Sequence, residues 1–205
     1  MVFIQVIQGT CNDADRLHQM MDEWRETLEP GAQGFLGGTY GLTDDNEFIG
    51  VVRFDSRQSA ERNSNRPEQG QWWSRTATCF DGEATFHDCD DVSMMLDGGS
   101  DEAGFVQVIQ GRLSDPGRLH EMMNDEAMEM LHTRRPDIIG GTLAIDKDGF
   151  FTQTIAFRTE AEAREGERSE MTAEMRERMA AMDALESDVS YHDLHHPWFA
   201  TAGMR

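Results

Sequence analysis

Lysine is almost missing from this 205-residue chain: basic residues total 18, and Lys147 is the only lysine among them. Against 39 Asp and Glu they leave a formal net charge of −21. A field of that sign repels phosphate backbones and anionic bilayers, so neither a nucleic acid nor a membrane is an expected partner. The surplus reads as a surface adapted for solubility or salt, with an acidic docking face for a basic partner as the alternative. No apolar run reaches the length of about 18 residues that a membrane helix needs. The chain opens on Met1-Val2-Phe3-Ile4-Gln5, a strand-like pattern without the basic flank of a secretory leader. Cysteine is scarce and odd in number (Cys11, Cys79, Cys89), with no metal-type spacing, which suits a reducing cytoplasm. Phosphate-cradling glycine loops, nucleophile elbows and Walker patterns are all missing.

What is present is a repeat. Phe3-Ile4-Gln5-Val6-Ile7-Gln8-Gly9 returns as Phe105-Val106-Gln107-Val108-Ile109-Gln110-Gly111. Asp13, Arg16, Leu17, His18, Met20 and Met21 return as Asp115, Arg118, Leu119, His120, Met122 and Met123. Gly37-Gly38-Thr39 matches Gly140-Gly141-Thr142, and Phe86-His87-Asp88 matches Tyr191-His192-Asp193. The offset grows slowly along the chain, as loop insertions make it do. The reading is a first repeat over 1–96, a flexible linker over 97–104 and a second repeat over 105–205.

Each copy reads as β-α-β-β-α-β. The opening run is apolar on both faces, as in a strand covered on two sides. Residues 13–28 then switch to helical spacing, with Leu17, Met20, Met21, Trp24 and Leu28 on one stripe. Two strands follow, near 35–42 and 47–54, with counterparts near 138–145 and 150–157. Pro67 and Gly70 break the second helix of the first copy. The second copy's helix is expected to run on with Met171, Met175, Met179 and Met182 as its stripe. This order is the split βαβ ferredoxin-like unit, and two such units can pair their bare sheet faces into a pseudo-twofold α+β barrel.

In element order and apolar pattern the chain resembles the dimeric α+β barrel superfamily, including antibiotic-biosynthesis monooxygenase-like proteins, as an internally duplicated, fused form. The resemblance implies a ligand site between sheet and helices, and cofactor-independent oxygenation of an aromatic or polycyclic substrate. It leaves open a non-catalytic small-ligand-binding or stress-related barrel, and a haem-binding protein. No organic cofactor and no metal are expected. The partners expected are a small molecule and the chain's own second half, with a further homodimer left open.

Several residues are candidates for chemistry. Glu126 aligns with Trp24 and, at 100° per residue from Leu119, falls near 340°, between Met122 and Met123. A carboxylate there would be desolvated and suited to general acid–base work. His18 and His120 sit at matching edges of the apolar stripe, where an imidazole can move protons. Trp24, Tyr40, Trp72 and Trp73 could line a flat apolar pocket, with the amide of Asn63 pointing in. His87 and His192 lie on the last strands as further ligand contacts. Because the copies differ at so many of these positions, a single or asymmetric site is expected.

Overall fold

The computed structural model describes residues 1–96 and 98–201. Asp97 and residues 202–205, parts of the expected linker and second repeat, lie outside the described residues. The chain forms two compact units, residues 1–92 with 196–205, and residues 93–195. The tail of the second repeat therefore belongs to the first unit, and most of the expected linker lies in the second.

In the first unit, strand β1 (Phe3–Thr10) leads to helix α1 (Ala14–Thr27), whose N-cap Asp13 accepts from the Arg16 amide at 3.0 Å. Strands β2 (Phe35–Leu42) and β3 (Glu47–Phe54) form a hairpin whose turn holds Asn46 at φ 63°. Helices α2 (Arg57–Ser64) and α3 (Pro67–Thr76) follow, divided where Pro67 cannot donate to a continuing helix. Strand β4 (Thr85–Cys89) closes the repeat, and strand β5 (Asp91–Met95) comes directly after it. The second unit repeats the order with β6 (Phe105–Leu113), α4 (Pro116–Met122), α5 (Asp125–Arg134), β7 (Ile138–Ile145), β8 (Phe150–Phe157), α6 (Glu160–Glu167), α7 (Ala173–Asp183) and β9 (Glu186–Leu194). Strand β10 (Trp198–Thr201) ends the described chain.

The fold is α+β, with one five-stranded antiparallel sheet per unit in the orders β10-β2-β3-β1-β4 and β5-β7-β8-β6-β9. Each sheet thus takes one edge strand from the end of the other repeat. The Gly-Gly pairs mark bulges: register slips by one residue between Phe35 and Gly37, and again between Ile138 and Gly140. The helix-facing core of the first unit is rich in rings, including Phe35, Phe48, Phe54, Phe80, Trp24 and Trp72. The second unit's helix-facing core is mainly aliphatic around Leu113, Leu119, Leu143 and Ile145. Strand positions on the opposite face, such as Ile4, Val6, Val106 and Val108, are also buried, as the two-sided apolar runs predict.

Two helices of the second unit depart from the sequence reading. The first breaks after Met122, and Asn124 restarts it by accepting from the Ala127 amide at 3.0 Å. The second breaks between Glu167 and Ala173, where Thr172 caps the new helix. The four methionines accordingly form no buried stripe: Met171 and Met179 are exposed, whereas Met175 and Met182 are half-buried. Hydroxyl and amide side chains that bond the backbone locally compete with helix continuation, and here they win.

Candidate functional site

The first unit contains a cleft of about 100 Å³ between α1 and the β2–β10 edge of its sheet. His18, Met21, Asp22 and Arg25 supply one wall, at the i, i+3, i+4, i+7 spacing of a single helix face. Trp24, Tyr40 and the β10 residues Trp198, Phe199 and Ala200 supply the rest. Asp22 and Arg25 form an ion pair at 3.5 Å at the exposed rim.

Strand register builds the aromatic wall. Trp198 lies opposite Tyr40, and Ala200 lies opposite Gly38. Tyr40 and Gly38 share a face, and the Tyr40 ring lies across the space that a Gly38 side chain would fill: a Cβ there would stand 2.2 Å from the phenol oxygen. The ring stacks on Phe48 with centroids 6.3 Å apart and planes 14° apart. His18 stacks on Trp198 at 4.9 Å and 20°, while remaining exposed. Trp24 donates its indole N–H to Gln69 Oε1 at 2.8 Å, so that its ring is fixed and its polar atom satisfied.

One polar group near this wall is buried and unsatisfied: the Trp198 Nε1–H is buried without an acceptor among the described residues. The Tyr40 hydroxyl makes no hydrogen bond among the described residues. Burial pushes that phenol well above its ordinary pKa, although the Arg53 guanidinium opposes the shift, so the hydroxyl stays protonated and can donate. Arg53 is itself lowered from the usual guanidinium range by burial and is steadied by a 3.2 Å hydrogen bond to Thr39 Oγ1.

The other expected site residues are dispersed. Trp72 is core, donating its indole N–H to the Met20 carbonyl at 2.8 Å. Trp73 packs on Phe80 and Phe86. Asn63 is buried and accepts from Arg66 at 2.9 Å, while Arg66 also donates to the Leu28 carbonyl past the end of α1. Asn63 therefore braces the helix and does not point into the cleft. Phe86 faces the helices through Trp73, so alternation turns His87 to the other face. His192, at the matching position, bonds Ser190 Oγ at 3.0 Å.

Glu126 requires a correction. It is exposed, because the break at Met123–Asn124 resets the helical phase on which its position between Met122 and Met123 depended. The desolvated carboxylate expected there is not formed. His120 is half-buried, with Nδ1 3.4 Å from Ser93 Oγ.

The repeat explains why the second unit lacks the same aromatic wall. Leu143 stands where Tyr40 does, Ser93 where Trp198 does, and Met95 where Ala200 does. The Met95 methyl reaches the space over Gly141, whereas over Gly38 that space is taken by the Tyr40 ring. Trp198 was the contribution sequence reasoning missed. The only signal was the short β-type run Trp-Phe-Ala-Thr after Pro197, beyond the last strand that the repeat identifies.

Glu160, Asp193 and His195 also come together, with ligand-type atoms within 4.8 Å of one another. Arg164 already serves both carboxylates: it bonds Asp193 and, at 3.3 Å, Glu160, while His195 Nδ1 lies 3.0 Å from Glu160. The first repeat has a counterpart in Arg57, which bonds Asp88 and Asp90. Arg57 lies 4.7 Å over the Phe3 ring, and Arg164 lies 5.2 Å over Phe105. A feature present in both repeats, with a guanidinium as its cation, is a structural clamp.

No helix of the described residues is long and apolar enough to cross a membrane. No family model matches the sequence, and neither does any curated protein sequence. Solved structures do match. A monooxygenase candidate from Fusobacterium nucleatum subsp. nucleatum superposes with a TM-score of 0.74 at 9% identity, covering 100% of this chain and 96% of its own. One from Lactobacillus acidophilus NCFM gives 0.72 at 12% identity, covering 98% and 97%. An uncharacterised ferredoxin-fold protein from Listeria monocytogenes, related to antibiotic biosynthesis monooxygenases, gives 0.52 at 12%, covering 96% and 95%. Over nearly its whole length, this chain has the tandem ferredoxin-like α+β fold of antibiotic-biosynthesis monooxygenase-like proteins.

Proposed function

We propose that the chain is a cofactor-independent oxygenase of the monooxygenase-like class, acting on an electron-rich aromatic hydroxyl compound in the cleft between α1 and β10 of the first unit. The observation that carries this reading is the ring-walled cleft, in which His18 stands beside Trp198 and Tyr40. Flat apolar walls with a few polar groups suit an aromatic ligand. In this reading His18 takes the phenolic proton and so raises the electron density of the ring for reaction with dioxygen. The net change is phenol plus dioxygen to para-quinone plus water, with the ring oxidised by four electrons and dioxygen reduced. Haem does not fit here: a cleft of about 100 Å³ has no room for a porphyrin macrocycle.

The test is aerobic incubation with a panel of hydroxyarenes, following quinone absorbance and oxygen uptake together. His18→Ala should slow turnover by about 10²–10⁴-fold, the usual contribution of a general base. His120→Ala and Glu126→Gln should leave it intact. No oxygen uptake by the native chain, or full activity in His18→Ala, would defeat the proposal. A ligand-binding role without turnover is the second reading, favoured by the absence of any carboxylate hydrogen-bonded to His18 among the described residues.

A further inference from the structure

The sheet beneath the Tyr40 ring carries almost no side chains. Gly50 lies directly opposite Tyr40 on β3, Gly38 precedes it by two residues on β2, and Ala200 lies opposite Gly38 on β10. Residues two apart on a strand share a face, and the phenol ring covers both glycines. A Cβ on Gly50 would meet Tyr40 Cδ1 at 3.1 Å, and one on Gly38 would meet the hydroxyl end of the ring at 2.2 Å. The second repeat fills the matching floor differently. Gln153 stands where Gly50 does and Met95 where Ala200 does. Gln153 Nε2 lies 3.9 Å from the Met95 sulfur, and the Met95 methyl covers Gly141. Above that filled floor the chain carries Leu143 instead of a tyrosine. A ring is needed only where the floor is bare.

We infer that Tyr40 is the specificity-determining residue of the cleft: its ring plugs the recess over Gly38 and Gly50, and so confines the ligand to arenes of a single ring. The inference rests on the aromatic-cleft reading above. With the plug in place the cleft measures about 100 Å³, and a protein cavity of about 150 Å³ is the size that takes one benzene. Two fused rings therefore have no room. The rim at the Asp22–Arg25 pair is exposed, so a substituent on a single ring can point to solvent. A second fused ring would have to enter where Tyr40 lies. Tyr40 cannot yield that space by a small shift, because it is 5% exposed, stacked on Phe48 and paired with Trp198 across the sheet.

The test compares two uncharged ethers that differ by one fused ring, anisole and 2-methoxynaphthalene, by titration calorimetry. A cleft without a depth limit would prefer the naphthyl ether, which has more apolar surface to bury. The native chain should instead bind anisole at least tenfold more tightly, since a pocket of fixed size already discriminates one methylene by about 10–200-fold. Tyr40→Leu, which imports the residue of the second repeat, should bring the naphthyl ether to equal or tighter binding. Tyr40→Phe keeps the ring and should keep the native preference, which separates the plug from the hydroxyl. A native chain that binds the naphthyl ether as tightly as anisole, or a preference left unchanged by Tyr40→Leu, overturns the plug while the aromatic cleft survives. If neither ether binds the native chain, the cleft reading falls and the plug falls with it. Should Tyr40→Leu fail to fold by circular dichroism, the native and Tyr40→Phe preferences decide. Naphthyl binding as tight as anisole binding in either protein then overturns the proposal.

Discussion

Replacing Gly38 by alanine puts one methyl group where the Tyr40 ring lies. The new Cβ would meet Tyr40 Oη at 2.2 Å, Cζ at 2.4 Å and Cε2 at 2.6 Å, whereas ordinary contact begins near 3.4 Å. The ring must therefore retreat by more than an ångström. It has little room to do so, because Phe48 stacks against it and its Cδ1 already sits 3.1 Å from where a Gly50 side chain would begin. Overpacking of this kind costs about 1–3 kcal/mol, and the displaced ring should also close the cleft. All four tryptophans, Trp24, Trp72, Trp73 and Trp198, belong to the first unit, so urea unfolding followed by tryptophan fluorescence reports on that unit. Tyr40→Leu imports the residue that the second repeat uses at this position. In that background Gly38→Ala should cost less than about 1 kcal/mol, because the clashing ring is gone, and the cycle should show strong coupling. An equal cost with and without the Tyr40 ring would refute the argument.

Three further outcomes are expected. Raising sodium chloride from 0.1 M to 1 M shortens the screening length from about 10 Å to about 3 Å. It should raise the melting temperature of a chain carrying −21, and a fall across that range in calorimetry would contradict the self-repulsion account. Glu186 is raised from the usual carboxylate pKa by burial first and by Asp183 second. A folded pKa above the unfolded one means that its stabilising share is present in acid and lost as pH rises through the folded value. Glu186→Gln should therefore raise the melting temperature at pH 7 but not at pH 3, and an equal gain at both would rule out this titration. Gly70 lies inside α3 with nothing within 4 Å of a would-be Cβ. Gly70→Ala should stabilise by about 0.5–1 kcal/mol, read as a higher urea midpoint, and a lower midpoint would count against the packing described.

The repeat was legible because strand and helix patterns survived in both copies, down to the Gly-Gly bulges and the cap pairs Asp13/Arg16 and Asp115/Arg118. His18, Trp24 and Tyr40 were identifiable from type and spacing, and the structure places all three around one cleft. Trp198 was not, because it reaches the site through a strand pairing between residues about 158 positions apart, Trp198 with Tyr40, and no local periodicity encodes such a pairing. Glu126 misled because a helical-wheel angle assumes an unbroken helix, and one asparagine side chain bonding an amide was enough to break it. Asn63 misled differently: its amide has a partner in Arg66, which sequence distance alone could not rank against a ligand.

The exchange of edge strands also sets an order of events at the ribosome. Strand β2 emerges early, but the strand that covers its outer edge is β10, at Trp198–Thr201. At about 5–20 residues per second, that edge waits roughly ten seconds or more for its partner. Meanwhile it offers unpaired backbone groups to any neighbouring nascent chain. The same delay means that a prematurely terminated or C-terminally clipped product lacks the indole wall altogether. Such a fragment could fold much of both sheets and still hold no finished cleft.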